Sequence, residues 1–151
     1  MPSVLFVCTA NICRSPMAMG LWQTKVRSDP SWLIESAGTW SIEGVPAAEN
    51  TLIVLAMRGV DLRGHRSQII SPELLRGFNL ILVMESGHKE ALGVEFPDIA
   101  PKVFLLSEMV GQQYNIIDPM GGPLDEFEET AKEFEQIFEQ GFTRIVQLAQ
   151  G

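Results

Sequence analysis

Two cysteines and an arginine fall within one short stretch near the start of the 151-residue chain: Cys8-Thr9-Ala10-Asn11-Ile12-Cys13-Arg14-Ser15-Pro16. This set suits the capture and attack of a tetrahedral dianion. Backbone N–H groups from Thr9 to Ser15 can converge on its oxygens, a following helix adds positive charge at its N-terminus, and Arg14 offers a two-pronged grip. Cys8 would sit beneath the central atom, in a field that favours thiolate over thiol. Ser15 can donate its hydroxyl to that sulfur. The bland reading makes Cys8 an inert buried thiol and Arg14 a surface charge. Against it, a cation in the first turn of a helix opposes the helix dipole, so Arg14 is misplaced unless an anion meets it.

Such a loop needs a strand to enter it and a helix to leave it. The apolar run over residues 3–7 reads as a strand buried on both faces. Ser15 as N-cap and Pro16 at the first helical position predict a helix in which Met17, Leu21, Trp22 and Val26 recur at helical spacing. Further along, the sequence predicts a strand over residues 32–35, broken by Ser36-Ala37-Gly38-Thr39, and a helix over 46–58 that Gly59 ends. A short helix opens at Ser71-Pro72-Glu73, residues 78–84 make the most strand-like segment, a helix covers 86–92 and a strand 102–106. A loop holding Asp118-Pro119 leads to one long final helix over 123–150, with an apolar stripe of Phe127, Ala131, Phe134, Phe138, Phe142, Ile145 and Leu148. Alternation of strands and helices predicts one doubly wound α/β domain over residues 1–151, with about four parallel strands flanked by helices. In such sheets ligands bind beyond the carboxyl ends of the strands, where strand order reverses, so the loop after the first strand is the expected site.

Composition narrows the function classes. With 46% of residues hydrophobic and 20% charged, the chain can bury a core, which disfavours disorder. Its net charge of −8 argues against bulk attraction to nucleic acid or anionic membranes. That charge is unevenly spread. Residues 118–139 hold eight acids and one base, whereas residues 1–76, with the loop, hold seven bases and six acids. No apolar stretch approaches the roughly 18 to 20 residues of a membrane span. The residues before Arg14 lack the positive flank of a secretory signal, so a cytoplasmic protein is expected. Two cysteines five apart make no disulfide scaffold.

The loop resembles the phosphate-binding signature of the low-molecular-weight protein tyrosine phosphatases, C-x-G-N-x-C-R-S, matching at Cys8, Asn11, Cys13, Arg14 and Ser15. Glu35-Ser36-Ala37-Gly38-Thr39 resembles that family's second-strand exit, Met84-Glu85-Ser86 its third, and Asp118-Pro119 its acid loop. The resemblance implies hydrolysis of phosphotyrosine proteins, peptides and small aryl phosphates, releasing inorganic phosphate without metal or other cofactor. Cys8 would be the nucleophile, Arg14 the transition-state stabiliser and Asp118 the general acid and then base. It also implies a network of Asn11, Ser15, Ser36 and His65 shaping the loop. Read locally, Asp118 before Pro119 equally suits a turn, and a histidine after Gly64 a solvated loop residue.

The chain departs from the pattern at two places. Ala10 stands where the family usually has glycine; if positive φ is required there, it would cost on the order of 1 kcal/mol. Beyond Pro119, where many members place aromatics, the chain reads Met120-Gly121-Gly122, so Met120 and Trp40 are candidate pocket walls, with Trp40 equally readable as a loop anchor. Cys13 is open to two readings, a packing residue or a partner that traps oxidised Cys8 as a disulfide. Three alternatives compete on function. A phosphoarginine phosphatase is one, but that branch resembles this family with Thr where Ile12 stands. Thiol-dependent arsenate reductases relay oxidation through two further cysteines, and this chain has none after Cys13. A non-catalytic phosphate-binding module would have no use for Cys8, Arg14 and Asp118 together.

Overall fold

A computed structural model describes all residues, 1–151. Its centre is a parallel sheet of β1 (Ser3–Cys8), β2 (Leu33–Gly38), β3 (Leu80–Val83) and β4 (Val103–Leu105), in the order β2-β1-β3-β4. The helices are α1 (Arg14–Lys25), α2 (Glu49–Ala56), α3 (Pro72–Arg76), α4 (Ser86–Glu95), α5 (Leu124–Gln140) and α6 (Phe142–Ala149), with two short 3-10 turns flanking β4. The architecture is the expected single α/β domain. β1 is buried along its whole length because both faces are covered. Val4, Phe6 and Cys8 join a core with residues of α1, α5 and α6, while Leu5 and Val7 face a second core with Leu75, Phe78, Leu92 and Ile99. That alternation follows from the two-residue repeat of a strand.

Strand order reverses at β1, which pairs with β2 on one side and β3 on the other. The crevice beyond the carboxyl ends of β1 and β3 is therefore the topological switch point. Cys8 ends β1 there, opposite Gly38 of β2.

Four elements differ from the sequence expectations. β2 runs on through Ser36, Ala37 and Gly38, because these residues pair with Phe6, Val7 and Cys8 and the ladder overrides their turn propensity. The expected helix over 46–58 begins only at Glu49, since Ala48 is extended and gives its N–H to the Ile12 carbonyl at 2.7 Å. Its end does use Gly59, at φ +75°, with Gly59 N–H bonding Ala56 and Val60 N–H bonding Leu55 in a Schellman pair. α1 starts at Arg14 rather than after a Ser15 cap, with Cys13 at the N-cap position and no side-chain cap. The long final helix is two helices. A Cβ at Gly141 would lie 2.8 Å from the Met109 carbonyl oxygen, so the chain bends where it passes the 3-10 turn at Leu106–Val110.

Candidate active site

The loop between β1 and α1 is set by Asn11. Its backbone is left-handed, at φ +58°, the only non-glycine residue with positive φ. Asparagine tolerates this conformation better than most residues because its short amide can bond locally. Here the amide is fully buried and satisfied. Its Nδ2 donates to Ser15 Oγ at 2.8 Å and to Ser36 Oγ at 2.9 Å, and its Oδ1 accepts from Gln68 N–H at 3.0 Å. The Asn11 carbonyl accepts from His65 Nε2 at 2.8 Å, which assigns that ring's proton to Nε2. Burial lowers the pKa of His65 and favours this neutral form. Ala10 has no positive φ, so the strain expected of alanine at that place does not arise.

β2 holds the loop from one side. Thr39 and Trp40 give their N–H groups to the Cys8 and Thr9 carbonyls at 2.9 and 3.0 Å. A Cβ on Gly38 would collide with the Thr9 carbonyl oxygen, so only glycine lets the strand end come this close.

Ser15 does not cap α1 because its hydroxyl is used inside the loop. Ser15 Oγ lies 3.0 Å from Cys8 Sγ, and it already accepts from Asn11, so its proton is free for the sulfur. The next acceptor, the Ala37 carbonyl, is at 3.5 Å. Cys13 is a different kind of thiol. Burial pushes it up to about 12, opposed in part by Thr51, which leaves it protonated at neutral pH. Both cysteines are free.

Arg14 heads α1 with only 2% of its side chain exposed. Its anionic partner in the protein is Glu85, whose Oε2 lies 2.6 Å from Nη1, and Nη1 also donates to the Ile116 carbonyl at 2.7 Å. Asp118 Oδ2 is 3.7 Å from Nη2. Glu85 is the N-cap residue of α4, just beyond β3, and Ile116 lies before the acid loop, so elements far apart in sequence aim the guanidinium. The local pattern predicted a cation that needs an anion; it gave no sign that Glu85 supplies one. Asp118, 47% exposed, accepts Met120 N–H on Oδ1 at 3.0 Å, the local turn that Asp-Pro sequences favour.

These groups surround one cavity of about 200 Å³ lined by Cys8, Thr9, Ala10, Ile12, Cys13, Arg14, Glu85, Asp118 and Met120. Ile12 and Met120 are on its wall. Trp40 is not. With its N–H tied to Thr9, its side chain stands 84% exposed outside the lining, which corrects the expectation of an aromatic wall from that loop. Larger hollows exist elsewhere, but none combines a thiol, a guanidinium and a carboxyl. A thiol, a fixed guanidinium and a carboxyl around one small cavity at a helix N-terminus are the kinds of group that phosphoryl transfer through sulfur uses.

A family model described as "Low molecular weight phosphotyrosine protein phosphatase" matches residues 3–150. A curated protein-arginine-phosphatase of Geobacillus stearothermophilus is 36% identical over 138 residues, 91% of each chain. A probable low molecular weight protein-tyrosine-phosphatase EpsP of Ralstonia nicotianae is 35% identical over 143 residues, 95% of each. Among solved structures, the low molecular weight protein tyrosine phosphatase from T. tengcongensis superposes with a TM-score of 0.90 at 36% identity, covering 95% of this chain and 99% of that one. The chain belongs to the low molecular weight phosphotyrosine protein phosphatase family, a family of phosphoric monoester hydrolases.

Proposed function

We propose that the protein hydrolyses phosphotyrosine in proteins or peptides, with small aryl phosphates as surrogate substrates, through a cysteinyl-phosphate intermediate. The observation that carries this reading is the 3.0 Å contact of Cys8 Sγ with Ser15 Oγ inside a cavity that Arg14 and Asp118 also line. In the first step the Cys8 thiolate attacks phosphorus, the S–P bond forms and the P–O bond to the leaving group breaks. Asp118, protonated at that stage, gives its proton to the departing phenolate. Arg14 and the N–H groups of the loop and of the start of α1 hold the three equatorial oxygens as charge gathers on them. Ser15 keeps its hydroxyl proton on the sulfur, which also makes sulfur the better leaving group in the second step. Water, deprotonated by Asp118, then attacks phosphorus and breaks the S–P bond, giving inorganic phosphate.

Apolar Ile12 and Met120 on the wall support an aryl leaving group, since a ring gains by burying against them. Phosphoarginine is the second reading. It is favoured by the relative named protein-arginine-phosphatase and by the carboxylates of Glu85 and Asp118 on the same wall, which suit a guanidinium. A panel of matched peptides bearing phosphotyrosine, phosphoserine or phosphoarginine separates the two. The expected order of kcat/KM is phosphotyrosine first. Faster release from phosphoarginine would replace the aryl reading, and normal turnover by Cys8→Ser would end both.

A further inference from the structure

We propose that His88 is a positioning residue for the phosphate loop, a strut that ties Thr9, next to the nucleophile, to the first turn of α4, with Nδ1 serving only to fix the ring's tautomer. The inference deepens the phosphatase reading of this site and rests on it. His88 lies in the first turn of α4 and is 7% exposed. Its Nε2 is 2.9 Å from Thr9 Oγ1, a contact across 79 residues of sequence. Its Nδ1 is 3.2 Å from the Glu85 backbone nitrogen. A backbone N–H can only donate, so Nδ1 accepts and the ring proton of the neutral imidazole sits on Nε2, facing Thr9 Oγ1. Glu85 in turn grips Arg14 at 2.6 Å. The Nε2 contact thus fixes the residue after Cys8 to the start of α4, beside the residue that aims Arg14.

The surroundings keep the ring in this state. Burial lowers its pKa, with Glu85 and Asp118 pulling the other way and Arg14 adding to the burial effect. Lys89, the next residue of α4, is paired with Glu108 at 2.7 Å. Thr9 has a second tether, its carbonyl bonded to Trp40 N–H. The His88 contact is the one made by its side chain from the β3 side of the crevice, so losing it frees that flank of the loop only.

The two ring nitrogens can be removed separately. His88→Asn places an amide oxygen near Nδ1 and keeps the link to Glu85 but falls short of Thr9. His88→Gln places an amide N–H near Nε2 and keeps the link to Thr9. Thr9→Val removes the acceptor while keeping the shape. We expect His88→Gln to stay within about threefold of the parent in kcat/KM and in inorganic phosphate affinity by calorimetry. His88→Asn and Thr9→Val should each lose about tenfold in both, the scale of one hydrogen bond that orders a reacting group. The double variant should be no worse than either single one, because both remove the same contact. Melting temperatures near the parent's assign the loss to the loop; if His88→Asn melts early, Thr9→Val decides at a temperature where it is folded. Equal behaviour of Asn and Gln at position 88, or losses that multiply in the double variant, overturns the strut. A parent that binds phosphate but does not hydrolyse aryl phosphates refutes the catalytic reading alone, since the phosphate affinities still decide the strut.

Discussion

Replacing Asn11 tests how the loop is built. In Asn11→Ala three buried or half-buried partners lose a bond: the Gln68 N–H, Ser15 Oγ and Ser36 Oγ. Each net hydrogen bond contributes about 1 kcal/mol. Alanine must also hold φ +58°, which costs L-residues roughly 1–2 kcal/mol. The sum is about 4 kcal/mol, or about 10 °C in Tm for a domain of this size. Asn11→Gly loses the same bonds without the backbone strain, so it should recover about 1 kcal/mol of the loss. Chemical denaturation and calorimetry measure both. Because Ser15 is released to turn from Cys8, kcat of the folded Asn11→Ala protein should fall by about one to two powers of ten. A loss under about 1 kcal/mol with unchanged kcat would show that the Asn11 amide does not order the loop. Glycine as damaging as alanine would refute the part assigned to the backbone.

Asp118→Asn should lower kcat/KM for phenyl phosphates by about two to four powers of ten, with the deficit shrinking as the leaving phenol becomes more acidic; a kcat/KM deficit independent of the leaving group would contradict proton donation by Asp118. Iodoacetate at neutral pH should alkylate Cys8, with loss of activity that inorganic phosphate prevents, and spare Cys13, whose thiol burial pushes up to about 12. Peptide mapping that finds Cys13 modified first would contradict that assignment. His65 and His88 both titrate below the ordinary 6.5 because burial disfavours their charged forms. The folded protein therefore binds fewer protons than the unfolded chain. The stability this gives is complete above about 6.5 and is lost as pH falls below it towards the folded values. Denaturation midpoints should drop from pH 7.5 to pH 5.5, and His88→Gln with His65→Gln should flatten that slope; an unchanged slope would show that other groups set it.

Much of the loop was legible in the sequence because its logic is local. Cys8, Asn11, Arg14 and Ser15 lie within eight residues, and the switch point at β1 follows from the alternation of strands and helices. Glu85, His88 and the Ile116 carbonyl were not legible. Each reaches the loop from more than 70 residues away, and nothing in a run such as Met84-Glu85-Ser86-Gly87-His88 shows which side chain turns towards β1. Ser15 shows where a local rule misleads. Ser-Pro favours a helix cap, but the buried amide of Asn11 and the Cys8 sulfur claim the hydroxyl first. Gly141 is the same lesson in packing, since its helical stripe continues across it while the Met109 carbonyl admits no side chain.

The covalent intermediate is the core of the account. Asp118→Asn protein mixed with p-nitrophenyl phosphate, quenched in acid within the first turnovers and digested, should yield the Cys8 peptide heavier by one HPO3 unit. Cys8→Ser protein under the same conditions should bind phosphate yet release no nitrophenol. An unmodified Cys8 during steady turnover, or the added group on another residue, would contradict attack by this sulfur.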